Sequence, residues 1–343
     1  MKTNRSLFLH GGLLLLASAL AYSGYTKSAP PAGTQRLEVQ VWSGTPDQLS
    51  KIELEMQGRK VTLEGKQDKE GRYYVGELTR EKRKPPTLVK ADAGAEKPPE
   101  PKPESETVRF IAASSMEKLA EQLAPLGAYR SLGKIAEGQA ADFGFDKPEG
   151  TLRVTVGGKT HALELGGTTP GGADRYVRDK DSGVAYAILG SITRDLENAD
   201  SRLTERNLNG FEPAQVTRVR ISVGNQTREL VPMGGNESAW ADAESPKQED
   251  ETATNWMVKL GRLRPNRYVA EKPDPSATPV FAVEYFEGKK RIGELVLVSA
   301  KGEGEDSDGK TEYLVRTNHT RWYASVIRTT AEQLDQDLGS VVR

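Results

Sequence analysis

Apolar and polar residues alternate through Leu49–Leu54 and again through Val216–Ile221, the period of a half-buried strand. The two stretches correspond without a gap. Pro46-Asp47-Gln48-Leu49-Ser50-Lys51-Ile52-Glu53-Leu54 and Pro213-Ala214-Gln215-Val216-Thr217-Arg218-Val219-Arg220-Ile221 keep residue class at nearly every step, at an offset of 167. The same offset carries Leu63 onto Leu230 and Tyr73 onto Trp240. Helical spacing replaces alternation in Ser114–Leu126, where Met116, Leu119, Leu123 and Leu126 share one face behind a Ser-x-x-Glu capping box. Its counterpart is Thr254–Leu263, with Met257, Leu260 and Leu263 on one face.

A strand meander follows each helix. Thr151–Val156 and His161–Leu165 flank Gly157-Gly158, a hairpin turn. Phe281–Phe286 and Ile292–Val298 repeat it around Glu287-Gly288-Lys289, and further strands pair Arg175–Arg178 with Tyr313–Arg316 and Val184–Leu189 with Trp322–Ile327. Polar helices at Ser191–Leu203 and Thr330–Leu338 close the copies. The expected fold class is therefore α+β. Two tandem repeated units, residues 36–203 and 211–343, each hold an antiparallel strand meander with one or two helices. Residues 82–107, rich in Pro, Glu, Lys and Ala, read as an extended linker within the first unit, with Asp242–Thr252 at the equivalent place in the second.

The N-terminal segment, residues 1–27, holds an uncharged run over residues 6–26, long enough to span a hydrocarbon core of roughly 30 Å. Lys2 and Arg5 precede it, so the positive-inside rule places the N-terminus in the cytoplasm and the bulk of the chain beyond the cytoplasmic (inner) membrane, as a single-pass protein. A cleaved signal peptide, with small-residue sites at Ala17-Ser18-Ala19 and Ala19-Leu20-Ala21, is the competing reading.

Composition then removes most chemistry. Lys plus Arg (48) balance Asp plus Glu (49), which excludes the basic excess of a nucleic-acid protein. There is no cysteine and there are three histidines (His10, His161, His319), so thiolate chemistry is absent and a histidine metal site or triad is hard to assemble. His161 and His319 are expected at the surface. Gly166–Gly172 lacks the Lys-Ser/Thr pair of a phosphate loop, and Glu303–Gly309 lacks carboxylates at both ends of a calcium loop. Ser114 and Ser115 are expected as helix caps. No cofactor, metal or catalytic residue is expected. Phe143-Gly144-Phe145 reads first as a tight turn entering a strand, and Trp42 and Trp322 read first as core or rim packing; the same four residues, Phe143, Phe145, Trp42 and Trp322, are the candidate binding surface as the second reading.

Phe143-Gly144-Phe145-Asp146-Lys147-Pro148, followed by Thr151–Val156, Gly158-Lys159-Thr160, Leu163-Glu164-Leu165-Gly166 and Tyr176-Val177-Arg178, resembles the bacterial domain-of-unknown-function family 4340. The likeness covers most of Ser50–Leu203 and, more faintly, Pro213–Leu338. The second copy has Lys272-Pro273-Asp274-Pro275 where the family turn would stand. The resemblance implies a membrane-anchored envelope protein beside ABC-type transport components, and it supplies no catalytic residues. The expected function is thus a non-enzymatic scaffold or accessory module with a protein partner. The alternative is an envelope glycan-binding or hydrolytic protein using Asp142, Asp146 or the acids of Glu303–Asp308, which requires two carboxylates about 5–10 Å apart across a cleft.

Overall fold

The computed structural model describes residues 39–82, 104–112, 114–234, 239–272, 275–301 and 311–342. The chain forms β1 (Val39–Trp42), β2 (Leu49–Met56), β3 (Arg59–Asp68), β4 (Gly71–Lys82) and β5 (Glu104–Ala112) before its first described α-helix, α1 (Ser114–Leu123). Strands β6 (Leu126–Ala128), β7 (Arg130–Lys134), β8 (Gly150–Val156), β9 (Lys159–Thr168), β10 (Asp174–Asp179) and β11 (Val184–Leu189) follow, then helices α2 (Gly190–Glu197) and α3 (Ala199–Arg202). After the connection come β12 (Arg218–Val223), β13 (Gln226–Pro232), β14 (Trp240–Asp242), α4 (Glu251–Leu260) and β15 (Arg267–Ala270). The last elements are β16 (Thr278–Glu287), β17 (Lys290–Lys301), β18 (Thr311–Thr317), β19 (Tyr323–Ser325) and α5 (Arg328–Val341).

Three antiparallel sheets result: a nine-stranded sheet in the order β5-β4-β3-β2-β8-β9-β10-β11-β7, an eight-stranded sheet in the order β14-β13-β12-β16-β17-β18-β19-β15, and a two-stranded β1–β6 pair. Leaving β5 aside, the two large sheets run in one order. Their registers agree as well. Ile52 lies opposite Leu63 on β3 and Val154 on β8, while Val219 lies opposite Leu230 on β13 and Tyr285 on β16.

Alternation explains both faces of each sheet. Ile52, Leu54, Val61, Leu63, Leu152, Val154, Leu163 and Leu165 bury one face beneath Met116, Leu119 and Leu123 of α1 and Ile192 and Leu196 of α2. The other face carries ion pairs such as Lys51–Glu53 along β2 and Arg153–Glu55 between β8 and β2. The second sheet does the same. Val219, Ile221, Leu230, Val283, Leu295 and Leu297 meet Trp256 and Leu260 of α4 and Leu334 and Leu338 of α5. Arg218, Arg220, Glu229, Glu284 and Arg291 form an ionic ladder on the far side.

Several expectations need correction. Strands hold 49% and helices 22% of the described residues, so the fold is mainly β rather than α+β. The helical faces are where the spacing puts them, but they are short covers on sheets whose strands reach 12 residues in β4 and β17. Helix α1 stops at Leu123, and α4 begins at Glu251, ahead of the expected Thr254, because Asp250 caps it by accepting from the Ala253 N–H at 2.9 Å. The helices therefore correspond at an offset of 137, which sets Met116 against Ala253 and Leu123 against Leu260. The linker is shorter than residues 82–107: Lys82 ends β4 and pairs with Glu104 at the start of β5, and residues 83–103 lie outside the described residues.

Among the described residues no helix is long and apolar enough to cross a membrane. The expected single-pass placement in the cytoplasmic membrane is corrected accordingly: no described helix supports it, and residues 6–26, the expected membrane contact, lie outside the described residues.

Candidate functional site

The connection from Leu203 to Pro213 joins the two large sheets, and its charged anchor is Glu205, only 4% exposed. Its carboxylate accepts from Ser114 Oγ at the head of α1 (3.0 Å), lies 3.2 Å from His319 Nε2 in the β18–β19 turn, and accepts from the Asn207 N–H at 2.8 Å. Its own N–H donates to the Ile111 carbonyl (2.7 Å), and its carbonyl accepts from the Tyr268 hydroxyl of β15 (2.8 Å). Burial opposes ionisation of Glu205, but His319, the Asn207 N–H and Ser114 outweigh it and hold the carboxyl at about 2. Burial pushes the Tyr268 hydroxyl well above its ordinary range.

The set Ser114, Glu205 and His319 has the members of a nucleophilic triad in the wrong order. An imidazole must stand between hydroxyl and acid to take the hydroxyl proton. Here the carboxylate stands between, and Ser114 donates to it directly. The arrangement ties three distant segments together.

A second clamp lies beside it. Arg321 pairs with Asp68 through Nε at 3.2 Å and Nη2 at 3.4 Å, and its guanidinium stacks 4.7 Å from the Tyr73 ring. Asn318 donates to Glu70 at 3.2 Å. Arg321 sits at φ 59°, a left-handed conformation that costs of order 1 kcal/mol in a residue with a Cβ, and the paired Asp68 and Tyr73 hold it there.

Two clefts open along this joint. One, of about 680 Å³, is lined by Asp47, Glu117 and Glu121 of the first unit, by Asn209 and Phe211 of the connection, and by His319 and Arg321. The other, of about 610 Å³, is lined by Ala214, Trp240, Met257, Val258 and Leu260 together with the same Asn209 and Phe211. The clefts are thus contiguous. Among the described residues no group of three or more His, Asp or Glu is placed to hold a metal ion, and no buried side-chain nitrogen or oxygen lacks a hydrogen-bond partner.

The aromatic candidates do not converge. Trp42 is 5% exposed, donates its indole N–H to the Leu123 carbonyl at 2.8 Å, and stacks on His161 at 4.7 Å. Phe145 is buried under the Arg178 guanidinium, 4.8 Å away, and Phe143 packs edge-on against Tyr176 at 5.0 Å. Trp322 is half-buried against the core of the first sheet. As a presented binding surface, Trp42 and Phe145 are corrected to packing residues. The turn between the phenylalanines is a tight corner: Gly144 has φ 74°, and a Cβ there would strike the Gly167 nitrogen at 2.5 Å.

The histidines are corrected too. His161 is half-buried on Trp42, and burial, then Lys159, lower its pKa; His319 is committed to Glu205. Ser115 Oγ donates to the Leu203 carbonyl, so the hydroxyls of Ser114 and Ser115 tie the helix to the connection rather than capping it. Asp142 and Asp146 are exposed and line neither large cleft, and Glu303–Asp308 lies outside the described residues. Sequence reasoning missed Glu205, Asp68 and Arg321. The one available signal was a carboxylate, Glu205, next to the boundary between the repeated segments.

Fold and site together define a mainly antiparallel-β protein in which two sheets of one strand order are clamped across a shared cleft. Residues 110–280 match the family described as Domain of unknown function (DUF4340), and the chain carries a domain of that family over this span. The matched span runs from the end of β5 across the joint into β16; it includes Ser114 and Glu205 and leaves out Asp47, Asp68, His319 and Arg321. No curated protein and no solved structure gives a significant match.

Proposed function

We propose that the protein is a non-enzymatic interaction module in which the two units, residues 36–203 and 211–343, act as one body and present the joined clefts to a protein partner. The observation that carries this reading is the joint itself. Its buried charged groups are used on their neighbours: Glu205 on Ser114, His319 and Asn207, and Arg321 on Asp68 and Tyr73. An active site keeps such groups poised toward a substrate, whereas a rigid scaffold uses them to fix geometry. The partner class carried forward from the family resemblance is a component of an ABC-type transport system.

The test is made in the native host with the full chain. Replacing Asp142, Asp146 or His161 by Ala is expected to leave cellular function intact. Loss of function on replacing a single carboxylate, with folding and partner capture unchanged, would establish the enzymatic reading instead.

A further inference from the structure

The two clefts occupy one place in the repeated architecture and differ in chemistry. Where the first has Pro46 and Asp47, the second has Pro213 and Ala214; where α1 puts Ala120 and Glu121, α4 puts Met257 and Val258. The first cleft is therefore acidic. Asp47, Glu117 and Glu121 are exposed carboxylates with no ion pair to a described residue, while the cations beside them are engaged. Arg72 donates to the Pro46 and Leu49 carbonyls, Arg321 is held by Asp68, and His319 by Glu205.

The second cleft lacks a side chain that the first unit supplies. In that unit β1 pairs with β6, and Trp42 fills the space at the end of α1, with its indole on the Leu123 carbonyl. In the second unit, among the described residues, no strand pairs with 263–265. By the offset of 167, Asn209 corresponds to Trp42; its side chain is hydrogen-bonded to the buried Tyr285 hydroxyl, and Phe211 turns to the β17 backbone at Gly293 and to the Tyr285 ring, 5.1 Å away. Leu260 and Gly261 at the end of α4 then line open space together with Trp240 and Met257.

Resting on the interaction-module reading, we propose that the joined groove takes an extended segment of a partner protein with an aromatic or large aliphatic residue beside a lysine or arginine. The apolar residue seats among Trp240, Met257 and Leu260, in the space that Trp42 fills in the first unit. The cation lies against Asp47, Glu117 and Glu121, where opposite charge favours it and fixes the direction of the segment.

A short fluorescent peptide with one Trp and two adjacent Lys in an otherwise Ala/Ser sequence probes this directly, using the full chain and fluorescence polarisation. Saturable binding is expected. It should weaken at least about tenfold when the peptide's Trp becomes Ala, when its Lys become Glu, or when the protein carries Glu121→Lys. Gly261→Phe fills the groove from within and should have the same effect; a Cβ there meets only the Met257 and Val258 carbonyls at 3.5 and 3.6 Å, so the fold tolerates it. Thermal melting checks that each variant is folded. Absence of saturable binding, equal binding of the Lys→Glu peptide, or indifference to both protein substitutions overturns the peptide chemistry. If partner capture in the host persists in the same two variants, the peptide proposal fails while the interaction-module reading stands; if the protein has no partner at all, both fail.

Discussion

The two large sheets share a strand order and register, yet the molecule uses them differently. The first fills the space beside its helix with Trp42 and rings the adjoining cleft with carboxylates; the second leaves that space open and lines it with Met257, Val258 and Leu260. What differs lies at the helix edge and the incoming segment, whereas the buried ladder of Ile52, Leu63 and Val154 reappears as Val219, Leu230 and Tyr285. A repeated framework is held by its core pattern, and its surface is free to diverge. The lesson is that a groove gains its character from positions that contribute little to stability.

The sharpest way to break this pairing is at Glu205. Replacing it with Ala leaves His319, Ser114 and the Asn207 N–H without their partner at a buried site, and a loss of about 3 kcal/mol is expected in denaturant unfolding. The contribution has a pH signature. The folded carboxyl sits at about 2, below its ordinary value of 4.5, so its stabilisation is complete above about 4.5 and is lost as pH falls toward 2. Melting temperatures of the native chain and Glu205→Gln should therefore converge between those values.

Next in size is the contrast between the units themselves. Trp42→Ala removes a buried indole and its hydrogen bond and should cost about 3 kcal/mol or more, whereas Asn209→Ala at the corresponding position loses only the hydrogen bond to the buried Tyr285 hydroxyl and should cost about 1–2 kcal/mol. Equal losses at the two positions would erase the distinction drawn between filled and open space. Gly293→Ala sharpens it further. A Cβ there would lie 2.3 Å from the Phe211 ring, so the ring must move, at a cost of about 1–3 kcal/mol. The smallest effect is expected on the ionic outer face, where Arg153→Ala should change stability by about 0.5 kcal/mol or less and the change should shrink with added salt.

Much of the framework was legible in the sequence. Alternation and the offset of 167 placed β2 and β12, and Gly157-Gly158 marked the β8–β9 turn, where both glycines have positive φ. The helix pairing was legible only in part: the apolar faces were, but the second helix begins at Glu251 rather than Thr254 and ends at Leu260 rather than Leu263. The fold class was misread because short helices with clean apolar faces stand out in sequence more than the length of the strands they cover. The joint was legible only as a carboxylate, Glu205, beside the boundary between the repeated segments. Ser114, Glu205 and His319 come from three separate segments, and no local spacing signals that a lone glutamate, serine and histidine will meet. Two of the aromatic candidates, Trp42 and Phe145, prove to be packing residues for a related reason: bulky residues mark places where burial is large, and there that burial is internal.

The central claim is that the groove, not the ionic outer faces, meets the partner. A photo-crosslinking amino acid placed at Glu121, at Val258, or as a control at Glu53 on the outer face of the first sheet, in the full chain in its native host, tests it directly. The groove predicts one shared crosslinked species from Glu121 and Val258 and none from Glu53; the same species captured from Glu53, with the two groove positions silent, would contradict it.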